Sequence, residues 1–102
     1  MTQTILLACA GGMSTSLLMT KMRKAAVEQD KEIEVYATAV DVVPDKFEEY
    51  HPAVVLLGPQ VSYMLKQITD EVPVPVAVIN MKDYGLMDGA KVLEQAFKLI
   101  NE

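Results

Sequence analysis

A chain of 102 residues, 51% apolar and 23% charged, has enough material for one hydrophobic core and too much apolar content to stay disordered. Nine basic residues against fourteen acidic ones leave a formal net charge of -5, which argues against a broad nucleic-acid-binding face, though not against a local basic patch. No apolar run approaches the roughly 20 residues of a membrane-crossing helix, no basic charge precedes the first apolar run as in a secretory signal, and one cysteine permits neither an internal disulfide nor a multi-cysteine zinc site. The expectation is a cytoplasmic protein with a single domain over 1–102, a reduced thiol, no metal and no cofactor.

Thr4 to Ala8 is short, apolar and unbroken, the pattern of a strand buried on both faces. From Ser14 to about Gln29 the period becomes helical: Leu18, Met22 and Ala25 share a stripe with Leu17 beside them, while Lys21, Lys24 and Glu28 fall elsewhere. Ile33 to Thr38 alternates and predicts a second strand. Asp41 to Tyr50 reads as a loop with a short helix starting near Pro44. Pro52 to Gly58 is the clearest strand, and Pro59 suits the first turn of a helix running to about Asp70. Val74 to Ile79 predicts a fourth strand, with Pro75 near its start where proline is tolerated. A loop containing Tyr84 and Gly85 follows, and Asp88 caps a last helix to about Ile100.

Strands alternating with helices imply an α/β fold: an open four-stranded parallel sheet with helices on both faces. Ligands of such sheets sit beyond the carboxyl ends of the strands. Four segments should gather there: Cys9 to Thr15, the turn after Thr38, Gly58-Pro59-Gln60, and Asn80 to Gly85.

The first of these, Cys9-Ala10-Gly11-Gly12-Met13-Ser14-Thr15-Ser16, carries the chemistry. A glycine loop that opens a helix aims backbone N–H groups at one spot and adds the positive end of the helix dipole. Gly11 and Gly12 let the chain bend closely around an anion, and the three hydroxyls cap the helix or donate to bound oxygens. The same field favours a thiolate at Cys9. These parts describe a nucleophile set to accept a phosphoryl group; a small buried cysteine followed by an ordinary helix cap is the plainer alternative. Nucleotide-binding patterns are missing, since there is neither G-x-x-x-x-G-K-[ST] nor G-x-G-x-x-G. Lys21 lies about 10 Å along the helix, out of reach of the cradle.

C-A-G-G-M-S-T-S-L-L, from Cys9 to Leu18, resembles the active-site loop of the lactose/cellobiose-type IIB proteins of the bacterial phosphoenolpyruvate-dependent sugar phosphotransferase system. The likeness extends to Lys21-Met22, to V-V-L-L-G-P-Q from Val54 to Gln60, to Tyr63-Met64, to Tyr84-Gly85 and to Asp88-Gly89, and so covers most of the chain. The galactitol- and ascorbate-type relatives lack the G-M-S-T-S run. The resemblance implies that Cys9 takes a phosphoryl group from a histidine of a IIA partner. It then passes the group to a β-linked disaccharide, of cellobiose, chitobiose or lactose type, held by the membrane-embedded IIC partner. Residues 10–16 would hold the phosphoryl group, chiefly through backbone N–H groups. It leaves open whether the chain is a free-standing subunit or a piece of a larger polypeptide.

The family's fold and loop also resemble the low-molecular-weight protein tyrosine phosphatases, which supplies a competing hydrolase reading. Those enzymes place an arginine six residues after the cysteine and a hydroxyl residue next; here the two slots hold Thr15 and Ser16. Without the guanidinium the bidentate clamp on the phosphoryl oxygens is lost, so efficient hydrolysis is not expected. Asp83 stands where those phosphatases keep a general acid, yet without the arginine it reads as a solvated turn residue. A thiol-based redox or binding module is the third alternative.

Gln60 and Tyr63 follow the third strand and either border the cradle or serve as cap and core. Tyr84 is similar, serving as cap or core or with its ring available to cover the site or meet a partner. Met13 offers an adaptable side chain for docking. Lys21, Arg23 and Lys24 place positive charge on the first helix, as a solvated face or as a steering patch for a partner. His51, at the opposite end of the third strand, reads as a surface residue.

Overall fold

The apolar runs become the strands of one parallel sheet. A computed structural model describes residues 2–11 and 13–101. Its strands are β1 (Gln3–Cys9), β2 (Ile33–Ala39), β3 (Val54–Leu57) and β4 (Val76–Val78). They pair in parallel in the order β2-β1-β3-β4, with Ile5 opposite both Val35 and Val54 and Leu57 opposite Val78. The central strands β1 and β3 are buried on both faces, which is why they read as unbroken apolar runs.

Successive side chains of β1 feed two cores. Ile5 and Leu7 point to one side, where α1 (Met13–Glu28), α4 (Met81–Gly85) and α5 (Gly89–Ile100) contribute Leu18, Met22, Tyr84, Val92 and Leu93. Leu6 and Ala8 point to the other, against Val43 of α2 (Val43–Tyr50), Val61, and Ile68 of α3 (Leu65–Glu71). Each fully buried aliphatic side chain removes apolar surface from water, a gain of about 1.5–3 kcal/mol. Helices therefore cover both faces, as the alternating pattern requires.

Several boundaries differ from the sequence reading for local reasons. The segment after β2 begins with a 3-10 turn, Val40–Val42, and α2 starts at Val43 with Pro44 in its first turn. The helix expected from Pro59 to Asp70 is split: Pro59–Met64 is a 3-10 helix broken at Val61 (φ -115°, ψ 23°), and α3 starts only at Leu65. Val61 leaves helical geometry while its side chain is buried in the second core. The segment read as a loop around Tyr84 is the short helix α4, because the Asn80 side chain accepts hydrogen bonds from the backbone N–H groups of Lys82 and Asp83. Asp88 caps α5 as expected, accepting from the Lys91 N–H at 3.1 Å. Leu17, beside the apolar stripe of α1, is 52% exposed.

Gly89 sets the spacing of α1 and α5. A Cβ there would stand 2.5 Å from the Lys21 carbonyl carbon and 2.7 Å from the Met22 nitrogen, so the two helices touch backbone to backbone. Among the described residues, no helix is long and apolar enough to cross a membrane.

Candidate functional site

The strand order reverses direction between β1 and β3, and in open parallel sheets the crevice at that reversal is where ligands bind. Cys9 is the last residue of β1, at the carboxyl end of this crevice, and is 2% exposed. Past the end of β3, the Gly58 N–H donates to the Ala8 carbonyl at 2.8 Å, which holds the two strand ends together beside the thiol. A Cβ at Gly58 would meet the Cys9 Cβ at 3.4 Å and Gln60 Oε1 at 3.1 Å. Glycine thus leaves room for the Gln60 carboxamide and the Cys9 side chain on the same side of this turn.

From the other side, α1 starts at Met13, only one short loop after Cys9. Thr15, in its first turn, is fully buried, and its hydroxyl donates to Cys9 Sγ at 3.4 Å. Thr15 therefore faces the sulfur from the slot that holds arginine in the phosphatases. The N-terminus of this 16-residue helix adds a positive field beside the sulfur.

The remaining expected site residues separate into groups. Ala10 and Gly11 are exposed on the loop, and Ser16 is exposed on α1, its carbonyl accepting from the Thr20 hydroxyl at 3.3 Å. Gly12 and the side chains of Met13 and Ser14 lie outside the described residues. Tyr63 is 80% exposed in the 3-10 helix after β3, on the surface and not in the core. Tyr84 takes the core role and not the rim role offered beside it. It is only 7% exposed and packs in the core beneath α1 and α5, so its ring neither covers the site nor faces a partner. The Asn80 cap fixes the direction of α4 and turns Tyr84 inward.

Asp83, in α4, is half-buried. It lines a groove with Asn80, Lys91, Glu94 and Gln95, on the α5 side of β4. His51 is exposed in a left-handed conformation (φ 48°) that ends α2. Arg23, like Lys21 and Lys24, is exposed on α1, and its guanidinium also donates to the Val35 carbonyl of β2.

Four of the five large apolar side chains exposed among the described residues, Leu17, Tyr63, Met81 and Leu86, lie in segments that follow the carboxyl ends of β1, β3 and β4. They form an apolar rim of which sequence reasoning singled out Tyr63 but not the other three; the fifth, Val27, lies near the far end of α1. For Leu17 a signal was present, because it sits one residue, or about 100°, from the buried Leu18 on the helical wheel.

Comparisons with known proteins identify the family and the fold. The sequence profile described as "PTS system, Lactose/Cellobiose specific IIB subunit" matches residues 4–95. The chain is 45% identical to the galactose-specific EIIB component of Lactococcus lactis subsp. cremoris (strain MG1363), over 95% of both chains. It is 44% identical to the cellobiose-specific EIIB component of Lactococcus lactis subsp. lactis (strain IL1403), again over 95% of each. Its fold superposes with a TM-score of 0.82 on the solution structure of the cellobiose-specific IIB component of Borrelia burgdorferi, at 35% identity, covering 99% of this chain and 94% of that one. The chain belongs to the lactose/cellobiose-specific IIB subunits of the sugar phosphotransferase system, and it is a phosphotransferase.

Proposed function

We propose that Cys9 is the phosphoryl carrier of this subunit. The observation that carries the reading is the buried Thr15 hydroxyl on Cys9 Sγ, at the strand reversal and at the start of α1. In the first step the sulfur attacks the phosphorus of a phosphohistidine on a IIA protein. An S–P bond forms, the N–P bond breaks, its electron pair returns to the imidazole nitrogen, and that nitrogen takes the thiol proton. In the second step a sugar hydroxyl held by the membrane IIC transporter attacks the same phosphorus. The S–P bond breaks with its electrons left on Sγ, which regains a proton from the hydroxyl. The chain works in the cytoplasm and docks on that transporter.

Backbone N–H groups from Ala10 to Ser16 hold the phosphoryl oxygens, with the hydroxyls of Ser14 and Ser16 secondary and Gln60 at the rim. Thr15 acts on the sulfur. With a threonine in the slot where the phosphatases hold an arginine, the site lacks their bidentate guanidinium clamp on the phosphoryl oxygens and is not built for efficient hydrolysis. The apolar rim of Leu17, Tyr63, Met81 and Leu86 supplies the docking face. A β-linked disaccharide is the sugar class. The two Lactococcus relatives are equally similar to this chain yet carry the names of different sugars, which supports selection of the sugar by the transporter.

The deciding experiment is intact mass after incubation with phosphoenolpyruvate, the general phosphotransferase proteins and a phosphorylated lactose/cellobiose-type IIA. One phosphoryl group is expected on the wild type and none on Cys9→Ser. An unmodified wild type beside a fully phosphorylated IIA would remove the carrier role.

A further inference from the structure

An open sheet ends in two edge strands, each with a row of backbone N–H and C=O groups turned outward, and such rows invite pairing with another chain. Here the edges are β2 and β4. The hydrogen bonds within the sheet settle which groups face out. Val55 N–H donates to the Pro75 carbonyl at 3.0 Å and Ile79 N–H to the Leu57 carbonyl at 2.8 Å. Pro75, Ala77 and Ile79 are therefore turned toward β3, and Val76, Val78 and Asn80 turn their peptide groups outward.

Gln95 of α5 occupies two of those outward groups. Its Nε2 donates to the Val78 carbonyl at 3.0 Å, and its Oε1 accepts from the Asn80 N–H at 3.2 Å. A neighbouring parallel strand would present the same donor and acceptor to the same pair, so the carboxamide stands in for one peptide unit of a missing strand. On the far edge, Arg23 of α1 places Nε and Nη2 on the outward carbonyl of Val35, at 3.0 and 2.6 Å. Its guanidinium carbon lies 5.6 Å from the centroid of the Tyr36 ring, which stacks on Tyr50 at 4.0 Å.

Both edges are thus closed by one polar side chain from a helix on the same face. Helix-to-sheet adhesion does not need these contacts, because α1 and α5 already bury a continuous apolar stripe. Edge carbonyls do not need them either, since water reaches an exposed edge. The edges differ in what else protects them. β2 carries Glu34 and is preceded by Lys31 and Glu32, whereas residues 72–79 hold no charge at all.

We infer that Gln95 is a guard of the β4 edge, and that the occupant it keeps out is the β4 strand of a second copy of this chain. Val76 and Val78 are half-buried and uncharged, and two such strands meet antiparallel about a two-fold axis as a self-complementary ribbon. Arg23 does the same at β2, where charge already assists.

Sedimentation velocity over a wide concentration range tests this. The wild type is expected at the mass of one chain throughout. Gln95→Met keeps the length and helix propensity of the side chain but removes both edge hydrogen bonds. It is expected to move toward the mass of two chains, with self-association at least about tenfold tighter and with an unchanged far-UV spectrum. Gln95→Asn, one methylene too short to reach both groups, gives the same reading where methionine disturbs α5. Arg23→Lys keeps a donor for Val35 and should stay monomeric. Folded, monomeric Gln95 variants at every concentration, or a wild type that already pairs, would overturn the assignment.

Discussion

The Thr15 hydroxyl donates a hydrogen bond to the Cys9 sulfur at 3.4 Å, from a side chain with no solvent exposure. Six residues apart in the chain, the two meet because the strand ends and the helix begins within one short loop. Thr15→Val has the same shape without the donor. It should fold, with stability changed by no more than about 1 kcal/mol, and accept phosphoryl about tenfold more slowly. Thr15→Ser should recover most of the rate. A time course of intact mass against phosphorylated IIA reads both, and an unchanged Thr15→Val rate would leave the hydroxyl a packing group only.

Gly58→Ala separates the rim from the fold. The added Cβ has room against Cys9 and Ala8 but displaces the Gln60 carboxamide, and φ of -61° suits any residue. Thermal stability should change by less than about 1 kcal/mol while phosphoryl acceptance slows, and Gln60→Ala should slow it to the same extent. Calorimetry and the same mass assay check the pair.

Gly89→Ala should do the reverse. Its Cβ would overlap the α1 backbone at Lys21 and Met22, which cannot swing aside as a side chain can, so α1 and α5 must part. A loss of about 1–3 kcal/mol is expected in urea melts, equivalent to a melting point lower by at least about 4 °C. Acceptance by Cys9 below the transition should stay at the wild-type rate.

Tyr84 carries a buried hydroxyl that meets no hydrogen-bond partner among the described residues. Leaving such a group dry costs about 1–3 kcal/mol. Tyr84→Phe keeps the ring in the core and should raise stability by about 1 kcal/mol, whereas Tyr84→Ala should lower it by about 3–5 kcal/mol. Urea denaturation of the two variants measures both signs.

The strands and the two longest helices were legible because each carries its own period: unbroken apolar runs in β1 and β3, a three-four stripe in α1 and α5. The place of Cys9 followed from topology, since a parallel sheet gathers its carboxyl ends. The short elements were not legible. Five residues of α4 are too few to show a period, and Tyr84-Gly85 resembles a turn, so nothing local announced that the tyrosine faces inward. The break at Val61 comes from tertiary burial, which propensity does not contain. Arg23 read as part of a charged helix face and Gln95 carried no signal; the hydrogen bonds they make appear only once the sheet edges are known.

The near-complete burial of Cys9 bears on the kinetic order of a carrier built on it. With the residue 2% exposed, a donor phosphohistidine and an acceptor sugar must each reach the same recessed thiol. One phosphorus on one sulfur cannot face both partners at once, so such a carrier releases one before it engages the other. Initial rates measured against IIA and against sugar-loaded IIC should then give parallel double-reciprocal lines, the signature of a ping-pong shuttle.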